Sequence, residues 1–172
     1  MATSFPSPEE LKGTVLGTLL YVGVYAGILI PFQSFSKFYL FAQKKKEAKT
    51  KAAKDGESFQ KKPGSGSFFL ATKYYNSQDM LALCGDRSVG NYLEQSLVFL
   101  PLYWLHALFV ENGASESLMI ASIYSISRGI YPPLFWFAFG TSYTPLIGIS
   151  TGPGYIITFY LLYQVAAKFA FA

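Results

Sequence analysis

Four apolar runs separated by polar stretches organise the chain. The first, TVLGTLLYVGVYAGILIPFQSFSKFYLF, covers about residues 14–41. The others cover about 86–110, 118–140 and 155–171. The first exceeds the ~20 residues a helix needs to cross a hydrocarbon core about 30 Å thick, and the pattern as a whole predicts four membrane-spanning helices. Gly17, Gly23 and Gly27 recur along the first run, and Gly23 and Gly27 form a GxxxG-like pair. Small residues at that spacing let helices approach closely in lipid. Pro31 is expected to kink this helix, and the Pro132-Pro133 pair to kink the third. ENGASES forms a short turn in which Ser115 or Ser117 is placed to cap the third helix.

The polar stretches decide orientation. Residues 42–67 hold eight lysines against Glu47, Asp55 and Glu57, a net charge of +5. Ala, Lys, Glu and Gln in its first half are able to prolong the preceding helix, and KKPGSGS is a flexible loop. Residues 68–85 are amphipathic and aromatic, an interfacial lead into the second span. TSYTPLIGISTGPG is expected to connect the third and fourth spans. The other connections are nearly free of Lys and Arg, so the positive-inside rule places the basic loop in the cytosol and both termini on the far side.

Composition agrees with a single membrane domain over residues 1–172: 51% of residues are hydrophobic, mean hydropathy is positive, and only 14% are charged. Soluble domains carry about 25% charged residues. A net charge of +4 does not read as a nucleic-acid footprint, because eight of the twelve lysines lie between Lys44 and Lys62. Anionic lipid headgroups are their expected partner. The first thirteen residues carry two acids and one lysine, the wrong charge for a signal-peptide n-region. Cys84 is the single cysteine, which excludes an internal disulfide and leaves no metal-ligand spacing. Both Cys84 and the lone His106 read as packed residues, not as nucleophile, ligand or base.

The candidate chemistry lies in DRSVGNYLEQ, residues 86–95. Arg87, Asn91 and Glu94 stand at i, i+4 and i+7, within roughly 60° of one helix face, with Gln95 adjoining. Arg128 and Tyr131 share a face of the third run at i and i+3, with Phe135 one turn on. An arginine near a bilayer centre costs roughly 2.5–3.5 kcal/mol, so such residues are expected to face a bundle interior or a water-filled crevice. Two readings follow. One is polar glue between spans two and three, worth about 0.6 kcal/mol per contact. The other is a site for a small ligand charged at both ends, with guanidiniums on its carboxylates and Glu94 on an ammonium.

Four spans, a basic loop after the first, Arg87-x3-Asn91-x2-Glu94 opening the second and Arg128-x2-Tyr131 in the third together resemble the MAPEG superfamily, the membrane-associated proteins of eicosanoid and glutathione metabolism. The resemblance extends over about residues 12–170 in layout, and its specific part is 87–131. It implies an all-α, integral membrane four-helix bundle, a homotrimer, and glutathione as co-substrate held between adjacent subunits. By resemblance Arg87, Asn91, Glu94, Gln95, Arg128 and Tyr131 bind the tripeptide, and lipophilic substrates arrive through the bilayer of the endoplasmic reticulum, with plastid and mitochondrial membranes as alternatives. The implied activity is glutathione transfer or peroxide reduction. The chain departs from the pattern in two places. The arginine that activates the thiol near the start of the fourth span is missing, and Phe135 replaces a second tyrosine. Lys37 and Lys44–Lys46 stand where the family often has an arginine, and Ser142, Tyr143 and Thr144 offer hydrogen bonds but no charge. No catalytic residue is assigned, and the alternative function is a non-catalytic lipid-binding protein or structural subunit of a larger membrane complex.

Overall fold

A computed structural model of the chain describes residues 5–54, 79–138 and 145–170. No strand occurs among them, and the protein is all-α. Its helices are α1 (Lys12–Val24), α2 (Ile30–Lys54), α3 (Met80–Phe109), α4 (Gly113–Gly129), α5 (Tyr131–Ala138) and α6 (Pro145–Ala170). A π-helical turn, Tyr25–Leu29, joins α1 to α2 without a break, so four rods result: α1–α2, α3, α4–α5 and α6. α1 packs on α4, α2 packs on α3, and α6 lies against α3, α4 and α5.

Proline explains two departures from straight helices. Pro31 has no N–H to give to the carbonyl of Gly27, and the turn before it widens: the Ile30 N–H bonds back to Tyr25 O, five residues away. A π turn of this kind absorbs the proline in place of a chain break. Pro132 and Pro133 act differently. α4 ends at Gly129 and α5 restarts at Tyr131, which puts both prolines in a first turn, where no intrahelical donor is needed.

Other boundaries shift relative to the sequence expectations. Lysines do prolong the first rod, as far as Lys54; residues 55–78 lie outside the described part. α3 begins at Met80, so the end of the amphipathic lead-in is already helix. α4 begins at Gly113, so Ser115 and Ser117 lie inside it; their hydroxyls donate backward to Asn112 O and Gly113 O at 2.7 Å each, and neither is the cap. Asn112 takes that position with φ of 61°, a left-handed conformation Asn tolerates better than most residues. α6 takes in the expected connection from Pro145 onward and carries Pro153 inside it.

An aromatic core joins three rods. Tyr92, Phe99 and Tyr103 of α3 stack with Tyr21 of α1 and Tyr124 of α4, all nearly or fully buried. Their hydroxyls are satisfied: Tyr103 donates to Thr14 O at 3.0 Å, Tyr92 donates to Tyr21 O, and Tyr21 pairs with Ser96. Gly17 makes this packing possible, since a Cβ there would lie 2.7 Å from that of Ala121. The expected Gly23/Gly27 pair does not act this way; a Cβ on either meets nothing within 4 Å, and both are exposed.

α2 and α3 are joined by an antiparallel ladder of charge. Lys37 Nζ lies 2.9 Å from Asp86 Oδ1, and both side chains are buried. Gln33 Nε2 donates to the same oxygen at 2.8 Å. Seven residues on along α2 and seven back along α3, Lys44 meets Asp79 at 2.9 Å. Gly85 allows the contact: a Cβ there would sit 2.6 Å from Ser36 Oγ and 3.0 Å from the Gln33 backbone.

Two of the rods, Lys12–Lys51 and Pro145–Ala170, are long and apolar enough to cross a membrane. In the other two the apolar runs are interrupted, by Asp86, Arg87, Asn91, Glu94 and Gln95 in α3, and by the break at Ile130 after α4.

Candidate functional site

Tyr92 and Phe99 set how α3 is turned. Both are buried against the core, at 2% and 0% exposure, and on a helix Glu94 then lies about 160° from Tyr92 and Asn91 about 100°. Burial follows that geometry. Arg87 and Glu94 are exposed, Asn91 and Gln95 are half-buried, and Tyr92 is 2% exposed. The shared polar face expected from the sequence exists, but it is turned outward. Only its Asn91–Gln95 edge reaches the interior.

Arg128 comes to that edge from the last turn of α4 and is 2% exposed. Its Nη2 donates to Gln95 Oε1, to which the Tyr124 hydroxyl also donates at 3.2 Å. The Tyr124 ring lies 5.1 Å from its Cζ, within the range of a cation–π contact. On the other side Gly154 of α6 makes room, because a Cβ there would stand 2.8 Å from Cζ. Nε and Nη1 have no acceptor, and no carboxylate among the described residues pairs with this guanidinium. Gln95 Nε2 continues the chain of hydrogen bonds to Asn91 Oδ1 at 3.3 Å. Tyr131, 7% exposed at the start of α5, lies near Asn91, Arg87 and Arg128.

Of the six expected site residues, then, Asn91, Gln95, Arg128 and Tyr131 form one connected group, Arg87 borders it, and Glu94 is directed away. Of the cations offered as substitutes for an activating arginine, Lys37 is engaged with Asp86 and Lys44 with Asp79, while Lys45 and Lys46 are exposed on the α2 extension. Ser142, Tyr143 and Thr144 lie outside the described residues. The sequence reasoning missed Tyr124 and Gly154. The i, i+4 spacing of Tyr124 and Arg128 was a signal for the first; no sequence pattern announces the second. Cys84 is buried, with Sγ donating to Pro132 O at 3.3 Å. His106 packs against the Tyr160 ring at 5.8 Å, with Nε2 3.9 Å from Glu116 Oε2.

The chemistry available here is anion binding. A buried guanidinium with donors to spare carries charge that nothing nearby neutralises, a costly arrangement unless an anion completes it. Gln95 is only partly buried, so the group bonded to the guanidinium is also the one that reaches the surface.

No family model, no curated protein and no solved structure matches the chain.

Proposed function

We propose that this is an integral membrane protein of the MAPEG type, four-spanning, that binds glutathione at the Arg128–Gln95–Asn91–Tyr131 group and uses it on lipophilic substrates, as a transferase or peroxidase. One observation carries the reading: Arg128 is buried with Nε and Nη1 unmatched. The group fits a ligand bearing carboxylates and amides, since Arg128 supplies charged donors while Asn91 and Gln95 offer amide groups. Arg87, exposed beside them, adds a second cation for the ligand's other end. Membrane insertion is supported by the two long apolar rods and by large apolar side chains on their outer faces, among them Leu19, Ile156, Phe159 and Tyr163. The basic extension of α2 then lies in the cytosol, and endoplasmic reticulum is the membrane the resemblance implies.

Glutathione supplies the thiol: its sulfur bonds to an electrophilic carbon as a leaving group departs with the electron pair, or two glutathiones are oxidised to the disulfide as a lipid hydroperoxide is reduced to alcohol and water. A thiolate is the reactive species, and a neighbouring cation favours it. Arg128 is the one guanidinium inside the group, and its task is to hold the peptide and raise the thiolate fraction. The exposed positions of Arg87 and Glu94 suit a homotrimer in which a neighbouring copy completes the outward half of the face.

The test is glutathione binding in nanodiscs. Arg128→Ala should weaken it by roughly 10- to 100-fold, the value of hydrogen bonds to a charged group. Equal affinity would remove the site. A non-catalytic subunit of a larger complex is the second reading, favoured by the engagement of Lys37 and Lys44 with carboxylates, which takes both from the thiol. Binding without ultraviolet thiolate absorbance and without turnover would select it.

A further inference from the structure

An apolar groove with a volume of about 400 Å³ opens where the first, second and third rods meet. Ile28 of the π-helical turn and Phe32 of α2 form one wall, Leu81 of α3 its end, and Pro132, Trp136 and Phe137 of α5 the other wall. It exists because the third rod breaks at Ile130 and because the first rod widens at Tyr25–Leu29. Its lining is almost wholly apolar, and Trp136 and Phe137 at its edge are exposed.

Charge marks one end of it. Leu81 stands two residues after Asp79, whose carboxylate holds Lys44. From there α2 runs on to Lys54 with Lys44, Lys45, Lys46, Lys49, Lys51 and Lys54 against the single acid Glu47. An occupant long and apolar over its body and negative at one end matches both features together. A neutral lipid would leave the cationic end unanswered, and a soluble phosphate would leave the groove unfilled.

We infer that the groove between α2, α3 and α5 holds one acyl chain of an anionic phospholipid, whose phosphate-bearing headgroup rests on the lysines of the α2 extension. The inference rests on the membrane-spanning reading but is independent of glutathione. It assigns the lysine-rich stretch a specific site, beyond a general attraction to the surface: the lipid joins the cytosolic extension to the helix break that carries Arg128 two residues upstream of it.

The groove contains its own reporter. In a Trp104→Phe background Trp136 is the remaining tryptophan, and acyl-brominated lipids quench it on contact. The protein is reconstituted in phosphatidylcholine vesicles carrying a minor fraction of brominated phosphatidylglycerol or brominated phosphatidylcholine. The inference expects the anionic lipid to quench at several-fold lower mole fraction, by roughly fivefold for each lysine engaged. Replacing Lys45, Lys46 and Lys49 by Gln should remove that preference while leaving quenching by the neutral lipid. Leu81→Trp in a Trp136→Phe, Trp104→Phe background should report the same preference from the groove's end. Glycerol phosphate in solution should not compete. Equal quenching by both lipids in the parent protein, or competition by glycerol phosphate, would overturn the inference while leaving the membrane reading intact. Quenching by neither would overturn both.

Discussion

Arg128 is where stability and function separate. Its charge is buried without a carboxylate, so if its purpose is ligand binding it burdens the free protein. Arg128→Met keeps most of the volume and removes the charge, and replacing buried ionic groups this way is often neutral or stabilising by about 1–4 kcal/mol. The binding-site reading therefore expects equal or higher thermal stability in detergent together with lost glutathione binding. A large loss of stability would instead assign Arg128 to holding α4 against α3 and α6. A simpler electrostatic case sits at the amino-terminal end. The Ser7 N–H donates to Glu10 Oε2 at 2.7 Å, and Glu10 N–H donates to Ser7 Oγ at 3.4 Å, a reciprocal cap on the turn before α1. The Ser7 N–H, and then the Ser7 hydroxyl, hold the Glu10 carboxyl below its ordinary 4.5. A depressed carboxyl favours the folded turn above the ordinary value, and that contribution is lost as pH falls through the lower, folded-state one. An NMR titration of the Glu10 carboxyl should show a midpoint below 4.5, and Ser7→Pro, which deletes the donor, should return it.

At the scale of elements, the α2–α3 seam and the aromatic core hold the rods by different physics. The Lys37–Asp86 pair is buried, and removing one partner strands the other's charge. Asp86→Ala is expected to destabilise by about 3–5 kcal/mol. Lys44–Asp79 repeats the pairing one heptad outward, but Lys44 is 43% exposed there, and Asp79→Ala should change stability by no more than about 1 kcal/mol. Unfolding of both variants in detergent checks the contrast; comparable losses would mean that the seam is not graded by burial.

For the whole molecule, the basic extension of α2 and the α3–α4 turn at Glu111 lie at opposite ends of the rods. In a membrane they belong to opposite sides. With Cys84→Ser as background, Lys46→Cys should react with an impermeant maleimide from the cytosolic face of sealed vesicles, and Glu111→Cys only from the other. Labelling of both from one face would exclude the four-span topology.

The order of apolar runs and the proline and glycine punctuation made an all-α chain legible from sequence, because helix period and breaking residues are local properties. The lysine-rich continuation of the first helix was legible for the same reason. Arg87, Asn91 and Glu94 were placed on one face by spacing alone, and that face exists. Which way it points was not a local matter. Tyr92, Phe99 and Tyr103 compete for the same helix and bury more apolar area, so α3 rotates them inward and turns Glu94 out. The Lys37–Asp86 pair joins residues 49 positions apart, and the space beside Arg128 is made by a glycine 26 positions further on. Sequence determined which polar groups the chain possesses and in what helical register; only the packing of one rod on another decided which are paired, which are exposed, and that Arg128 is buried with no carboxylate beside it among the described residues.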